Sequence, residues 1–474
     1  MSLLAEALKS STPAAAAKAT TLAGIGHSSS ASAPAMRKPA PSVALTNFEI
    51  QLGYASPIEE TEYRGTLAPT VSVPHLNYLI APIEATSAEH MVRADRANRV
   101  VFKPEYDLAS MASIVALIDR VAIVVDTKHP TSDQALQRGI AASMATAVYV
   151  ADRTKDAGKS KWCASLPELD LSKPTGQHFA VMVQEPTPAT LRTIMGTIEA
   201  IAGIDGQVRP FLLELAIDFY PTDQTDPVEA LLTREKIVGL VQRHLWSAGS
   251  SLLDHEHHRP READPRQVYS KDGKTATRFL FADSSGSRLS DMQLDEVSIR
   301  ERLMTRRPGN DLNLNATIYR GDEAGPRRTN IQHKVADRRN PTKKTMTSLD
   351  ARERRARIEV TLSSLEELEQ AGLSTINELA TCRFRSMRRN LLTFRLPTSG
   401  TDSGAIEDAI GQMKTRGVYG VEMAQRAAAS EERSLLKPTP RNTDRDGRAL
   451  VAWPEMNDLV GAALDRLHKT WRRF

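Results

Sequence analysis

Three residues of this chain have the types needed to handle a phosphodiester: Tyr319, Lys334 and Glu359. They fall between Asp311 and Leu362, in three β-like runs, Leu314–Tyr319, Thr329–Ala336 and Ala356–Leu362. Thr, Ile, Val and Tyr in these runs pack well on a pleated surface, and Gly321–Pro326 is a turn by composition. A phenolate that attacks a DNA phosphodiester conserves the bond energy as a phosphotyrosine, and nearby cations lower a phenol's pKa. Lys334, Arg320 and Arg327 are the expected neighbours of Tyr319. The plainer reading is that a tyrosine ending a strand packs its ring and keeps its hydroxyl wet.

Carboxylates form the second candidate set. The run FLLELAIDFY, Phe211–Tyr220, reads as a strand that puts Glu214, Ala216 and Asp218 on one face and Leu215, Ile217 and Phe219 on the other. With Glu359, the acids Asp218 and Glu214 would offer the hard oxygens that Mg²⁺ or Mn²⁺ prefers and that phosphoryl chemistry uses. The alternative is that Glu359 pairs with a nearby arginine and Asp218 faces water at a sheet edge. A further cluster, LDHEHHRPRE at Leu253–Glu262, spaces His255 and His257 as metal ligands can be spaced, but its polar flanks and Pro260 read more simply as a solvated loop.

Charge points the same way as the candidate residues. The 474-residue chain carries a net charge of only +4, yet Glu301–Val360 holds fifteen Lys or Arg against eight Asp or Glu. A local cationic field suits a polyphosphate backbone. Residues expected to meet it are Arg320, Arg327, Arg328 and Arg357. A second basic run, CRFRSMRRNLLTFRLP, adds Arg383, Arg385, Arg388 and Arg389, with Phe384 and Phe394 among them for stacking. The two cysteines exclude a disulfide framework or a Cys-rich zinc module and suit a reducing cytoplasm. No P-loop, dinucleotide fingerprint, serine-hydrolase elbow or CxxC pair occurs, which disfavours helicase, oxidoreductase and hydrolase readings. No apolar run is long enough to cross a bilayer, and Ala112–Val125 is broken by Asp119 and Arg120.

The elements that must position these residues follow from periodicity. Strands are expected at Leu76–Ile80, Val100–Phe102, Val121–Asp126, His178–Gln184 and Ala276–Phe281, and helices at Leu108–Ile118, Gln134–Tyr149 (alternatively a helix that runs into a strand), Ala189–Ala202 and Val228–Trp246. After Leu362, short helices are expected at Leu365–Ala371, Thr375–Ala380 and Ala405–Lys414, and an amphipathic one from Pro454. The fold class is α+β: ferredoxin-like βαβ units in a largely antiparallel sheet with helices on one face, plus a small helical C-terminal region. Residues 1–45, rich in Ala, Ser and Pro, read as a disordered tail, 46–362 as the core, and 363–474 as a basic helical region with a flexible 398–450 segment.

Four stretches together, LELAIDFYP (213–221), TIYRG (317–321), TNIQHK (329–334) and ARIEVTL (356–362), resemble the replication initiator proteins of rolling-circle plasmids and filamentous phages. The resemblance spans about Gln177–Pro397. It implies a DNA-binding initiator that nicks one strand at an origin through a tyrosine with Mg²⁺ or Mn²⁺. Asp218 then matches the acid of the first strand, Tyr319 the tyrosine of the second, Lys334 the lysine and Glu359 the last glutamate. Implied partners are origin DNA, a host helicase and a second copy of the chain, with no membrane. One departure matters: the family's Tyr-Asp-Lys stands here as Gln332-His333-Lys334. The nucleophile is then Tyr319, or the chain is a non-catalytic replication or partition factor, or an assembly protein of a phage or mobile element.

Overall fold

A computed structural model describes residues 47–54, 57–83, 99–144, 148–152, 176–246, 267–271, 276–279, 312–320, 325–340, 345–422, 424–425 and 450–474. Contacts divide the chain into Met1–Ser42 and Val43–Phe474. All of the described residues lie in the second unit, so the tail expected at 1–45 and the His255–His258 loop fall outside them.

Sixteen strands are described, in three sheets. They are β1 Asn47–Gln51, β2 His75–Pro82, β3 Arg99–Pro104, β4 Ala112–Thr127, β5 Val148–Asp152, β6 His178–Gln184, β7 Ile204–Pro221, β8 Gln267–Lys271, β9 Ala276–Phe279, β10 Thr317–Arg320, β11 Arg327–Lys334, β12 Ala336–Asn340, β13 Thr345–Ser348, β14 Arg355–Leu362, β15 Arg395–Gly400 and β16 Leu450–Ala452. The helices are α1 Pro57–Arg64, α2 Leu108–Met111, α3 Asp133–Ser143, α4 Pro188–Ala202, α5 Pro227–His244, α6 Leu365–Gln370, α7 Phe384–Leu391, α8 Ser403–Arg416 and α9 Pro454–Trp471, with 3₁₀ turns between.

The class is α+β, and every described strand pair is antiparallel. The large sheet runs β5-β6-β4-β7-β14-β11-β10-β8-β9 and the smaller one β1-β2-β3-β15-β16. Strands β6 and β7, joined through α4, flank β4, and β4 and β5, joined through α3, flank β6: two interleaved βαβ connections. The segment after Leu362 is not a region apart, because β15 pairs with β3 across the chain and β16 with β15.

Local chemistry explains most of these elements. In α4, Thr187 caps the first turn, Pro188 occupies the first helical position, and Gly203 ends the helix at φ +65. Its Leu191, Ile194 and Ile198 are buried, as the spacing of three and four requires. The expectation of a helix over Leu108–Ile118 is corrected. Asp107 caps one turn, and the chain then extends into the sixteen-residue β4. Its apolar residues fit either period, but β-branched Ile114, Val115, Ile118 and Val121 favour the strand, and Ile114 and Ile118 alternate into the core.

Helix α5 is enclosed on nearly every side, packed against β7, β14 and β11 of the large sheet and β2 of the small one. Its polar residues are accordingly bonded. Glu235, fully buried, takes Arg64 Nε and one terminal nitrogen at 2.8 Å each. His244 is neutral, since burial pushes it down to about 3. Its Nδ1 donates to Arg395 O at 2.8 Å, and Nε2 accepts from the Tyr78 hydroxyl at 2.9 Å. Gly417 has φ +64 and ψ −152, and a Cβ there would lie 2.4 Å from Arg243 O, so only glycine lets α8 approach α5 this closely. No helix among the described residues is long and apolar enough to cross a membrane.

Candidate nucleic-acid interface

The four strands that carry the motif residues stand side by side, in the order β7-β14-β11-β10. Their register lines the candidates up in cross-strand rows. One row runs Leu117, Ala216, Glu359, Asn330, Tyr319. The next runs Val115, Asp218, Arg357, Gln332, and a third runs Arg120, Glu214, Thr361, Arg328. Tyr319 and Glu359 are two strands apart, roughly 10 Å between backbones. On β4, β7, β14 and β11 these row positions form one polar face. The alternate positions Leu215, Ile217, Phe219, Ile358, Val360 and Ile331 are buried in the main core with the helices.

The geometry of the acids differs from the expected metal set. Asp218 is 1% exposed, and Arg357 clamps it in bidentate fashion, Nε to Oδ1 at 2.5 Å and a terminal nitrogen to Oδ2 at 2.7 Å. Arg355 Nε lies 2.9 Å from Oδ2. Arg357 also donates to Asp119 Oδ1 at 2.7 Å and sits 3.6 Å from Glu359 Oε1. Burial opposes the Arg357 charge, but the bond to Asp218 and the charges of Asp218, Asp119 and Glu359 win, and its pKa rises. Arg357, expected to meet phosphate, is therefore a buried internal clamp, 1% exposed. Asp218 neither faces water nor offers a vacant oxygen.

Glu359 is held by amides, with Gln332 Nε2 donating to Oε1 at 2.9 Å and Asn330 Nδ2 to Oε2 at 3.3 Å. Burial pushes its carboxyl up to about 7, aided by the charges of Glu214 and Asp119 and opposed by Arg357 and Lys334. Glu214 accepts from Arg120 at 2.6 Å and from the Thr361 hydroxyl at 2.8 Å. Asp119 is the residue that sequence reasoning missed. Ile118 pairs with Leu215 and Arg120 with Glu214, so Asp119 is an extra residue at a register shift, and such bulges re-aim a side chain. Burial raises its pKa, but Arg357 and Lys334 outweigh this and lower it.

Among the described residues no three His, Cys, Asp or Glu side chains are arranged to hold a metal ion. Of the acids expected to bind Mg²⁺ or Mn²⁺, Asp218 is taken up by guanidinium groups on both oxygens, and Oε2 of Glu214 accepts from Arg120 and Thr361. This donor set fits an arginine clamp, not a divalent cation.

Lys334 lies on β11 opposite Arg355, half-buried, and its charge acts on Asp119 and Glu359. His333 turns the other way, 5% exposed beneath α5, where Arg234 Nε donates to its Nε2 at 3.1 Å. Burial holds it well below the usual histidine range. Arg328 is half-buried with Nε 3.1 Å from Asn330 Oδ1. Arg327 is tied to Glu367 of α6 at 2.5 Å. Arg320 is placed by backbone only, opposite Thr329.

The second arginine cluster lies elsewhere. In α7, Phe384, Met387 and Leu391 are buried, while Arg385 and Arg389, and Arg383 just before the helix, are exposed and Arg388 is half-buried. Arg385 pairs with Asp465 of α9 at 2.5 Å. Burial, with Arg385 nearby, lowers the Arg388 pKa. Phe394, just beyond α7, meets Phe219 edge-on, which places this cluster on the helical side of the sheet. Among the described side chains, the arginines expected to bind nucleic acid thus divide between the sheet and α7, and Arg357 is buried.

The fold and the site define an α+β protein with a carboxylate–arginine network on one face of a nine-stranded antiparallel sheet. No protein-family model and no curated protein sequence matches the chain.

Proposed function

We propose that this chain is a cytoplasmic DNA-binding replication initiator of a plasmid or mobile element, and that the polar sheet face is its DNA surface. The observation that carries this reading is the adjacency of β7, β14, β11 and β10. Residues far apart in sequence, with the motif pattern of rolling-circle initiators, converge on rows that include Tyr319, Asn330, Glu359, Gln332 and Lys334. The half-buried polar side chains of these rows carry groups that can meet both base edges and phosphates.

Two forms of the reading are separable. In the first, Tyr319 attacks a phosphodiester: its oxygen bonds to phosphorus, the P–O bond to the neighbouring sugar breaks, and that sugar oxygen leaves with a proton. In the second, the protein binds origin DNA without cutting it. The clamp on Asp218 and the Gln332-His333-Lys334 sequence favour the second. The experiment is incubation with Mn²⁺ and a supercoiled plasmid carrying the DNA that flanks the gene, followed by denaturing electrophoresis. A protein–DNA adduct, lost in Tyr319→Phe, establishes the nicking form. Retarded plasmid with no adduct establishes the binding form, and neither outcome overturns both.

A further inference from the structure

We propose that Arg234, His333 and Arg354 form a binding site for one monatomic anion, a halide such as chloride, in the core between β11 and α5. The site lies on the side of β11 opposite Gln332 and Lys334, by strand alternation, and does not depend on what the polar face binds.

The tautomer of His333 is set by its neighbour. A guanidinium nitrogen only donates, and Arg234 Nε lies 3.1 Å from His333 Nε2, so Nε2 accepts and the ring proton sits on Nδ1. Burial, with the charges of Arg234 and Arg354, keeps the imidazole neutral. His333 is 5% exposed, and its Nδ1 is buried with no hydrogen-bond partner among the described residues. The Tyr63 ring packs against the imidazole, 5.3 Å between centroids, and is itself buried. Nδ1–H is thus an enclosed donor that no protein acceptor meets, a deficit that costs free energy unless a bound water or ion supplies the acceptor.

Charge decides between the two. Arg234 is 4% exposed and bonds only to neutral groups, the His333 ring and Ala351 O at 3.3 Å. Burial lowers its pKa to about 10, which leaves it charged at neutral pH. Arg354, half-buried, likewise bonds only to carbonyls, Leu349 O at 3.1 Å and Tyr63 O at 2.8 Å, and its charge acts on both Arg234 and His333. The buried carboxylate nearby, Glu235, is engaged by Arg64 Nε and a terminal nitrogen at 2.8 Å each and by the Tyr54 hydroxyl at 2.5 Å. Glu60 also goes to Arg64, at 2.8 Å. Two guanidinium groups are therefore left with no carboxylate in contact among the described residues. A water would satisfy Nδ1–H but not the uncompensated charge, which is the larger cost. A halide does both, because it accepts N–H bonds from any direction. Enclosure favours a single atom over phosphate, since Arg234, His333 and Tyr63 are each at most 7% exposed.

The test is urea unfolding of the full chain as sodium chloride replaces sodium gluconate at fixed ionic strength, so that screening stays constant. For one chloride held by the folded state alone, each tenfold rise in chloride above its dissociation constant raises the folding equilibrium constant about tenfold. Wild type is expected to approach that dependence. Arg234→Met, which removes the buried charge, and His333→Phe, which removes the Nδ1–H donor, are both expected to lose it. A dependence retained in either variant would be a surface effect and would overturn the site. So would a wild-type stability that ignores chloride, the result a buried water gives, or one that responds to sodium phosphate and not to chloride. Should the variants fail to fold, wild-type crystals grown in sodium bromide decide: an anomalous peak against His333 Nδ1 supports the site, and no peak there overturns it. None of these outcomes bears on the DNA-binding reading.

Discussion

Replacing Asp218 by Asn lowers the unfolding free energy by about 3–5 kcal/mol, the cost of leaving a buried cation without its partner. Asn keeps the size and one acceptor. It leaves Arg357, 1% exposed, with only Asp119 and the more distant Glu359, and Arg355 with no carboxylate in contact. Urea denaturation at neutral pH measures the change as a fall in midpoint with an unaltered slope. The direction separates two accounts of the site. If Asp218 were a vacant metal ligand crowded by other acids, removing its charge would relieve repulsion and stabilise the metal-free protein. A rise in midpoint would therefore restore the metal reading and remove the clamp.

The second large effect is a pH dependence centred on Glu359. Its folded pKa, about 7, lies above the ordinary carboxyl value, so the folded state holds the proton more tightly than the unfolded chain. The stability this contributes is full below about pH 4.5 and is lost as pH rises through about 7. At about 1.4 kcal/mol per unit, the decline across that window is on the order of 3–4 kcal/mol. Glu359→Gln removes the titration while keeping an acceptor for one of the two amides that hold the side chain. The variant is expected to lose much less stability than wild type between pH 5 and pH 8, as read from denaturant midpoints at each pH. Parallel profiles for the two proteins would mean that Glu359 is ionised throughout.

The parts of this fold legible in the sequence are those whose signal is local. β6 is an apolar run of strand length, α4 has its cap, first-turn proline and terminal glycine, and β14 covers the β-like run Ala356–Leu362. The alternation of β7, with Glu214 and Asp218 on one face, was equally legible. What was not legible depends on register between distant strands. Asp119 interrupts an apolar run and looked only like a break in it. Its place beside Arg357 comes from a bulge opposite β7, which no local pattern encodes. The pairing of Arg357 with Asp218 spans 139 residues, so an arginine in a basic stretch read as free for phosphate when a partner was waiting on β7. An Asp-Arg pair inside an apolar strand and an arginine two residues before a strand glutamate were the available signals. Both mark charges that a sheet must neutralise on one face.

The account stands on the polar face of the large sheet being a DNA surface. Its most direct test is equilibrium binding of the whole chain to the DNA flanking its gene, measured from 50 to 200 mM salt. The expected result is an affinity that falls linearly on a double-logarithmic plot, with a slope of several counterions, and that drops further when Lys334 and Arg328 are both changed to Ala. Binding that ignores salt, or that survives the double substitution unchanged, would contradict it.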